Sequence, residues 1–145
     1  MATDKPEAQR CGERTVRSLA ETADLARELL PLMLGAGTVS LEGPLGAGKT
    51  HFVKAAASAL GINAEVTSPT FTLLHSYGGG THPLHHSDWY RLESPDEALA
   101  LGLEEYAGEG LLMIEWGDKF PGILSPGTLR LRIEPRSGEE RRFTW

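Results

Sequence analysis

Residues 43–50 read G-P-L-G-A-G-K-T and follow the short apolar run T-V-S-L-E of residues 38–42. The octet fits G-x-x-x-x-G-K-[ST], a loop whose backbone N–H groups curl around phosphate oxygens while the lysine and the hydroxyl reach the terminal phosphates and Mg²⁺. Such a loop works only between a strand and a helix, because the N-terminal amides and dipole of the helix must lie beneath the phosphates. The sequence supplies both. Thr38–Glu42 is predicted as a buried strand, and a helix is predicted from about Lys49 to Leu60, where Gly61 ends it. Gly43 and Gly48 permit backbone geometry that a Cβ would block. Lys49 is the point charge for the β and γ phosphates, and Thr50 the first protein ligand for Mg²⁺. The phosphate cradle is accordingly assigned to Gly43, Leu45, Gly46, Ala47, Gly48, Lys49, Thr50 and His51. The competing reading, a glycine-rich turn with an exposed lysine, conflicts with the agreement of strand, spacing and helix.

Around this unit the chain reads as one α/β domain. Residues 1–13 are polar, of mixed charge and without period, which predicts a disordered lead-in before a domain spanning 14–145. T-V-R-S from Thr15 suits a short strand. Ser18-x-x-Glu21 is a capping box opening an amphipathic helix with Leu25, Leu29, Leu32 and Met33 inward, stopped near Gly35 and Gly37. Beyond Gly61, two β-rich runs, 72–77 and 84–90, flank G-G-G-T-H-P and predict a hairpin. Ser94-Pro95-Asp96-Glu97 opens another helix, with Ser as cap, Pro first and Glu third, ended by Gly102. L-L-M-I-E at 111–115 has the form of a central strand closed by a carboxylate, and the runs 128–135 and 141–145 form the last two strands. Alternating strands and helices predict a P-loop NTPase-like three-layer sandwich, its central sheet mixed and mostly parallel, with antiparallel pairing toward one part of it.

Glu115 ends an apolar strand, where a carboxylate without a partner is costly unless it faces a ligand crevice or a cation. That position suits a Mg²⁺ ligand, direct or through another group, and a solvated strand end is the alternative. Trp116 beside it reads as a packing residue rather than a base-stacking one. In H-H-S-D-W-Y-R-L, period-2 alternation sets His86, Asp88 and Tyr90 on one face and His85, Ser87 and Trp89 on the other. Asp88 is a candidate for positioning water or Mg²⁺, against a salt bridge with Arg91. For His82, His85 and His86 a solvated hairpin outweighs a zinc site with Asp88. Thr67, Ser68 and Thr70 place hydroxyls in a loop that can sense phosphate, although a Ser/Thr/Pro turn is the default.

Charge narrows the partners. The net charge of −6 over 145 residues repels polyanions, so any nucleic acid the protein serves is handled through another molecule. Cys11 is the sole cysteine, which excludes an internal disulfide or a cysteine-built zinc site and points to a reducing, cytoplasmic home. No apolar run approaches the ~18 residues needed to cross a bilayer, and the first residues lack the core of a signal peptide. None of the four lysines lies in an N-K-x-D or T-K-x-D guanine-reading context, which favours ATP over GTP.

Four ordered motifs, G-P-L-G-A-G-K-T, S-P-T-F-T-L at 68–73, H-S-D-W-Y-R-L at 86–92 and I-E-W at 114–116, resemble the TsaE (YjeE) family of small bacterial ATPases. The resemblance runs from about Thr15 to Pro135. It implies an Mg²⁺-dependent ATPase, weak in isolation, required for threonylcarbamoyladenosine next to the anticodon of tRNA. It further implies TsaB and TsaD proteins as partners, with tRNA reached only through that complex. On this resemblance Lys49 and Thr50 match the phosphate and Mg²⁺ residues and Glu115 the metal-linked glutamate. Residues 67–71 match the first switch loop, Asp88 the aspartate of H-x-D-x-Y-R, and Trp116 the tryptophan of E-W. Pro44 departs from the family's usual acidic residue and predicts a stiffer loop rather than lost binding. Two other classes use the same loop. A small-molecule kinase needs an acceptor site and usually a basic lid, and a nucleotide-gated scaffold binds ATP without useful hydrolysis.

Overall fold

A computed structural model describes residues 11–67, 69 and 73–145. In chain order the elements are β1 (Glu13–Val16), α1 (Leu19–Ala36), β2 (Thr38–Glu42), α2 (Lys49–Ala59), β3 (Leu74–Tyr77), β4 (Leu84–Asp88), α3 (Pro95–Leu99), α4 (Glu104–Ala107), β5 (Leu111–Glu115), β6 (Leu129–Pro135) and β7 (Arg141–Thr144). Short 3₁₀ turns cover Gly117–Lys119 and Pro121–Ile123. Among the described residues the strands form one sheet in the order β1-β7-β6-β2-β5-β4-β3.

The four inner strands β6, β2, β5 and β4 run parallel. Antiparallel strands complete both margins, β3 against β4 on one side and β7 against β6 and β1 on the other. The expected antiparallel region is thus split between the two edges, because the hairpin and the C-terminal strands attach to opposite ends of the parallel core. The mixed α/β sheet itself is as expected. Parallel strands are buried on both faces and need apolar side chains on each, and β5 shows how this is met. Leu111 and Met113 pack with Leu25, Leu29 and Met33 of α1 and Phe52, Val53 and Ala56 of α2, whereas Leu112 and Ile114 pack with Trp89, Leu92, Ala98 and Leu103 on the other face.

Local chemistry accounts for the element ends. Ser18 Oγ accepts the Glu21 N–H at 3.1 Å, and the Glu21 carboxylate turns back to the N–H of Arg17, one residue before the cap, at 2.7 Å. Pro31 sits inside α1 on its exposed side, where the carbonyl that a proline cannot bond, that of Arg27, faces solvent. Gly37, at φ 81°, closes the helix by donating to Met33 O. At the second predicted box, Pro95 takes the first helical position, but Ser94 makes no side-chain cap and Glu97 accepts from the Glu93 N–H instead. The predicted boundary at residue 13 moves inward: Glu13 opens β1, and the Gly12 N–H and C=O pair with Trp145 at 2.8 and 2.9 Å. Residues 1–10 of the expected lead-in lie outside the described residues. The helix α4 and the two 3₁₀ turns carry no sequence period, being shorter than the repeat that would show one.

Helix α2 meets β7, near the margin of the sheet, through a ring contact, Phe52 against Phe143 with centroids 5.4 Å apart. Both are fully enclosed. Phe52→Ala should therefore cost about 3–5 kcal/mol, read as a lowered urea midpoint with unchanged slope.

Candidate nucleotide-binding site

The strand β2 runs straight into the loop, and Gly43, at φ 153°, brings its backbone so close to β6 that an added Cβ would lie 2.4 Å from Ile133 O. Gly46 (φ 79°) and Gly48 (φ 104°) take left-handed conformations that side chains disfavour. Gly48 is the cap of α2. A helix leaves its first N–H groups without internal partners, and among the described residues the N–H groups of Lys49, Thr50 and His51 donate to no backbone carbonyl. Lys49, Thr50 and His51 line the cleft, and unpartnered amides at a helix N-terminus are suited to anionic oxygens. The Pro44 ring is accommodated, since Pro44 contributes only its carbonyl, which accepts the Ala47 N–H at 3.1 Å.

Lys49 is buried beneath the loop. Its ammonium donates to Gly43 O at 2.6 Å and Pro44 O at 2.8 Å and lies 4.2 Å from the centre of the Trp116 ring. Burial pushes the Lys49 pKa down, and the carboxylates of Glu115, Asp88 and Asp118 oppose that shift. An ammonium has three N–H donors, so one remains for a phosphate oxygen.

The carboxylate of Glu115 meets α2 at the end of β5. Thr50 Oγ1 donates to Glu115 Oε2 at 2.7 Å, and His86 Nε2 reaches the same oxygen at 2.7 Å. A threonine whose proton is directed to a carboxylate presents its lone pairs elsewhere, which suits a hard cation. Asp88 stands opposite Glu115 in the β4–β5 register, and its Oδ1 accepts the Tyr90 N–H at 2.9 Å. Tyr90 in turn stacks on Trp116 with centroids 5.0 Å apart. Together Leu45, Gly46, Gly48, Lys49, Thr50, His51, Asp88, Tyr90, Glu115 and Trp116 enclose a cleft of about 330 Å³. Among the described residues no group of three acidic, histidine or cysteine side chains converges on a point.

Every cradle residue predicted from the motif lies on this loop or the first turn of α2, and Ala47 contributes from the buried side of the loop. Thr67 stands apart from the cleft residues, hydrogen-bonded through its backbone to Tyr77 Oη. The other two switch-loop hydroxyls, Ser68 and Thr70, lie outside the described residues. The histidines require correction. His82 is exposed, but His85 and His86 are buried because β4 is an inner strand covered on both faces. His85 bonds Ser76 Oγ at 2.8 Å on the face of α4, and burial lowers its pKa. His86, 0 % exposed, holds Glu115. Its signal was present in the period-2 reading, which sets His86 and Asp88 on one face. Trp116 packs, as expected, yet in left-handed backbone (φ 63°) and against the ammonium of Lys49.

Sequence reasoning missed Arg141. Its Nε donates to Ala47 O at 3.1 Å, and with Ser18, Thr22, Gly48, His51 and Phe143 it lines a second cavity of about 290 Å³ that adjoins the loop. An arginine on the last strand, far along the chain from the loop, has no motif to mark it.

The family model described as "Threonylcarbamoyl adenosine biosynthesis protein TsaE" matches residues 16–143. This chain belongs to the TsaE family of threonylcarbamoyl adenosine biosynthesis proteins. Relatives named tRNA threonylcarbamoyladenosine biosynthesis protein TsaE include that of Bacillus subtilis (strain 168), 40 % identical over 126 residues, covering 86 % of this chain and 78 % of the relative. The Treponema pallidum (strain Nichols) protein is 38 % identical over 136 residues, covering 93 % and 98 %. The crystal structure of YdiB from Bacillus subtilis superposes with a TM-score of 0.72 at 32 % identity, over 92 % of this chain and 83 % of that one. The family model spans the loop, His86, Asp88, Glu115 and Arg141 alike.

Removing the buried donor to Glu115 tests the histidine directly. His86→Leu should lower stability by about 1–3 kcal/mol, the cost of taking from a buried carboxylate one of its two side-chain donors. His86→Gln, which retains an N–H donor, should lose less in the same urea titration.

Proposed function

We propose that this protein binds ATP with Mg²⁺ in the loop of residues 43–50, hydrolyses it slowly on its own, and does so in the cytoplasm in support of threonylcarbamoyladenosine formation on tRNA. It acts on or with TsaB and TsaD, and reaches tRNA through them. The observation that carries the ATPase reading is the Thr50–Glu115–His86 chain of hydrogen bonds beside Lys49. It fixes a hydroxyl and a carboxylate where a phosphate-bound cation needs oxygen ligands. Thr50, with Glu115 behind it or beside it, would hold Mg²⁺, which when bound neutralises charge on the terminal phosphates.

The remaining roles fall to this chain's own groups. The amides of Lys49, Thr50 and His51 and the Lys49 ammonium bind and orient the phosphates. Asp88, which lines the cleft opposite Glu115 in the strand register, would be one group to orient the attacking water, a switch-loop hydroxyl being the other. The cavity beside Arg141 continues the loop on the far side of His51 and is the size and place for the base and sugar of a nucleotide. Against a kinase stands the make-up of the segment over the sheet, where Arg91 is the only arginine or lysine between residues 61 and 110, too few for a basic lid.

Phosphate release, measured with and without TsaB and TsaD, separates an ATPase from a scaffold. Lys49→Ala should weaken Mg-ATP binding by more than tenfold, about 1.4 kcal/mol or more. Depletion of the protein should lower threonylcarbamoyladenosine in bulk tRNA, measured by mass spectrometry of digested nucleosides, and a Lys49→Ala copy should not restore it. Normal levels after depletion would refute the tRNA role while leaving the ATP site standing.

The lowered pKa of Lys49 gives a signed pH dependence. Its charge is lost at lower pH than that of a free lysine, while bound phosphate favours the charged form. Binding should therefore weaken on the alkaline side and be accompanied there by proton uptake. Calorimetry in buffers of different ionisation enthalpy reads that uptake, and it should vanish in Lys49→Ala.

A further inference from the structure

On the sheet face opposite α1 and α2 the covering layer is thin, built from the short helices α3 and α4 and the 3₁₀ turns. It leaves a groove of about 570 Å³, larger than the nucleotide cleft. Trp89 and Ile114 line it from the sheet, Leu99 and Leu103 from the helical layer, and Leu124 and Pro126 from the loop before β6. Leu99 is 56 % exposed, and Trp89 Nε1, a buried donor, has no acceptor among the described residues. The groove is thus mainly apolar, with Thr38, Glu104, Ser125 and the unsatisfied Trp89 N–H as polar groups in its lining, the usual composition of a recognition site.

The helical layer beside it has a different character and forms an acidic rim. Glu104 lines the groove. Glu93, Asp96, Glu97, Glu105 and Glu109, all exposed, lie in or next to the same two short helices, and Arg91 is the only basic residue of the segment 91–110. Five of the six net negative charges of the chain therefore lie in these twenty residues. A field of that sign rejects nucleic acid and anionic lipid and attracts cationic partners. A second copy of this chain would bring the same acidic rim to a two-fold contact, and residues 1–10, with two acidic and two basic side chains, are not cationic.

We infer that this groove is the docking surface for a basic amphipathic segment of a partner protein, whose apolar side chains enter the groove while its lysines or arginines meet the acidic rim. Helix-in-groove recognition combines these two elements, anchors on one side and charges on the other. The inference is independent of ATP hydrolysis and is tested without nucleotide.

The experiment titrates the ¹⁵N-labelled full chain with a model amphipathic helix of leucine and lysine and, separately, with its leucine and glutamate counterpart. The cationic peptide should shift the amides of residues 96–107 and 123–125 and the Trp89 indole N–H, saturably, while the anionic one should not. Leu99→Ser and the triple variant Glu97→Lys, Glu104→Lys, Glu105→Lys should each weaken the cationic peptide by at least tenfold, with native spectral dispersion retained. Shifts confined to other surfaces, equal binding of both peptides, or unchanged affinity in the triple variant would overturn the proposal. Shifts at these same amides on concentrating the protein alone would overturn it in favour of self-association.

Discussion

The carboxylate of Glu115 stands at the end of a strand otherwise made of Leu, Leu, Met and Ile, and only 4 % of the residue is exposed. An ionised carboxylate in such a place destabilises the fold unless donors surround it. Thr50 and His86 supply them on one oxygen, from a helix and from the neighbouring strand. The requirement to satisfy this one group therefore sets the rotation of α2 over the sheet. That rotation in turn decides where the Lys49 ammonium and the first amides of the helix point. Glu115 also opposes the burial penalty on Lys49, so the two charges of the site support each other's presence.

The turn after Glu115 is held with equal tightness. Trp116 adopts left-handed backbone, a conformation that costs about 1–3 kcal/mol in a residue with a side chain, and three contacts retain it there. Its N–H donates to Leu41 O at 3.0 Å, Tyr90 stacks on its ring, and Lys49 caps that ring. Gly117 follows because an added Cβ would lie 2.1 Å from Ser40 Oγ. That hydroxyl is already engaged, donating to Glu42 Oε2 at 2.9 Å, where Arg130 Nε also donates at 2.6 Å. The ends of β2 and β5 are consequently locked side by side, and the loop leaves from a rigid platform.

Much of this was legible in the sequence where a local rule was strong. The loop, the strand before it and the helix after it follow from eight residues, because glycine conformations and a helix N-terminus are local requirements. The same holds for β5, where four apolar residues closed by a carboxylate state both burial and the need for a partner. The partner was not legible. His86 lies twenty-nine positions from Glu115, and only the parallel pairing of β4 with β5 brings them together. The histidines read as solvated because a hairpin strand is usually an edge, whereas β4 is covered by β3 on one side and β5 on the other. Arg141 was invisible for the same reason, since its contact with Ala47 spans ninety-four positions. Short helices such as α4 escape because four residues do not complete enough of a 3.6-residue period to register.

Period-2 geometry gives the ends of β4 and β5 two duties at once. Asp88 and Tyr90 line the cleft beside the glycine-rich loop while Trp89 between them lines the groove on the other face, and Glu115 and Trp116 line the cleft while Ile114 lines the groove. The Trp89 N–H donates to Glu115 O at 3.0 Å, so the backbone that separates the two cavities is itself hydrogen-bonded across the strands. A close-packed wall of this kind does not deform on one side only. A rotation of either strand end that resets Trp89 or Ile114 must also reset Asp88, which accepts the Tyr90 N–H, or Glu115, which holds the Thr50 hydroxyl. Ligands that occupied both cavities would therefore be coupled through this wall, and that coupling would be as large for one as for the other.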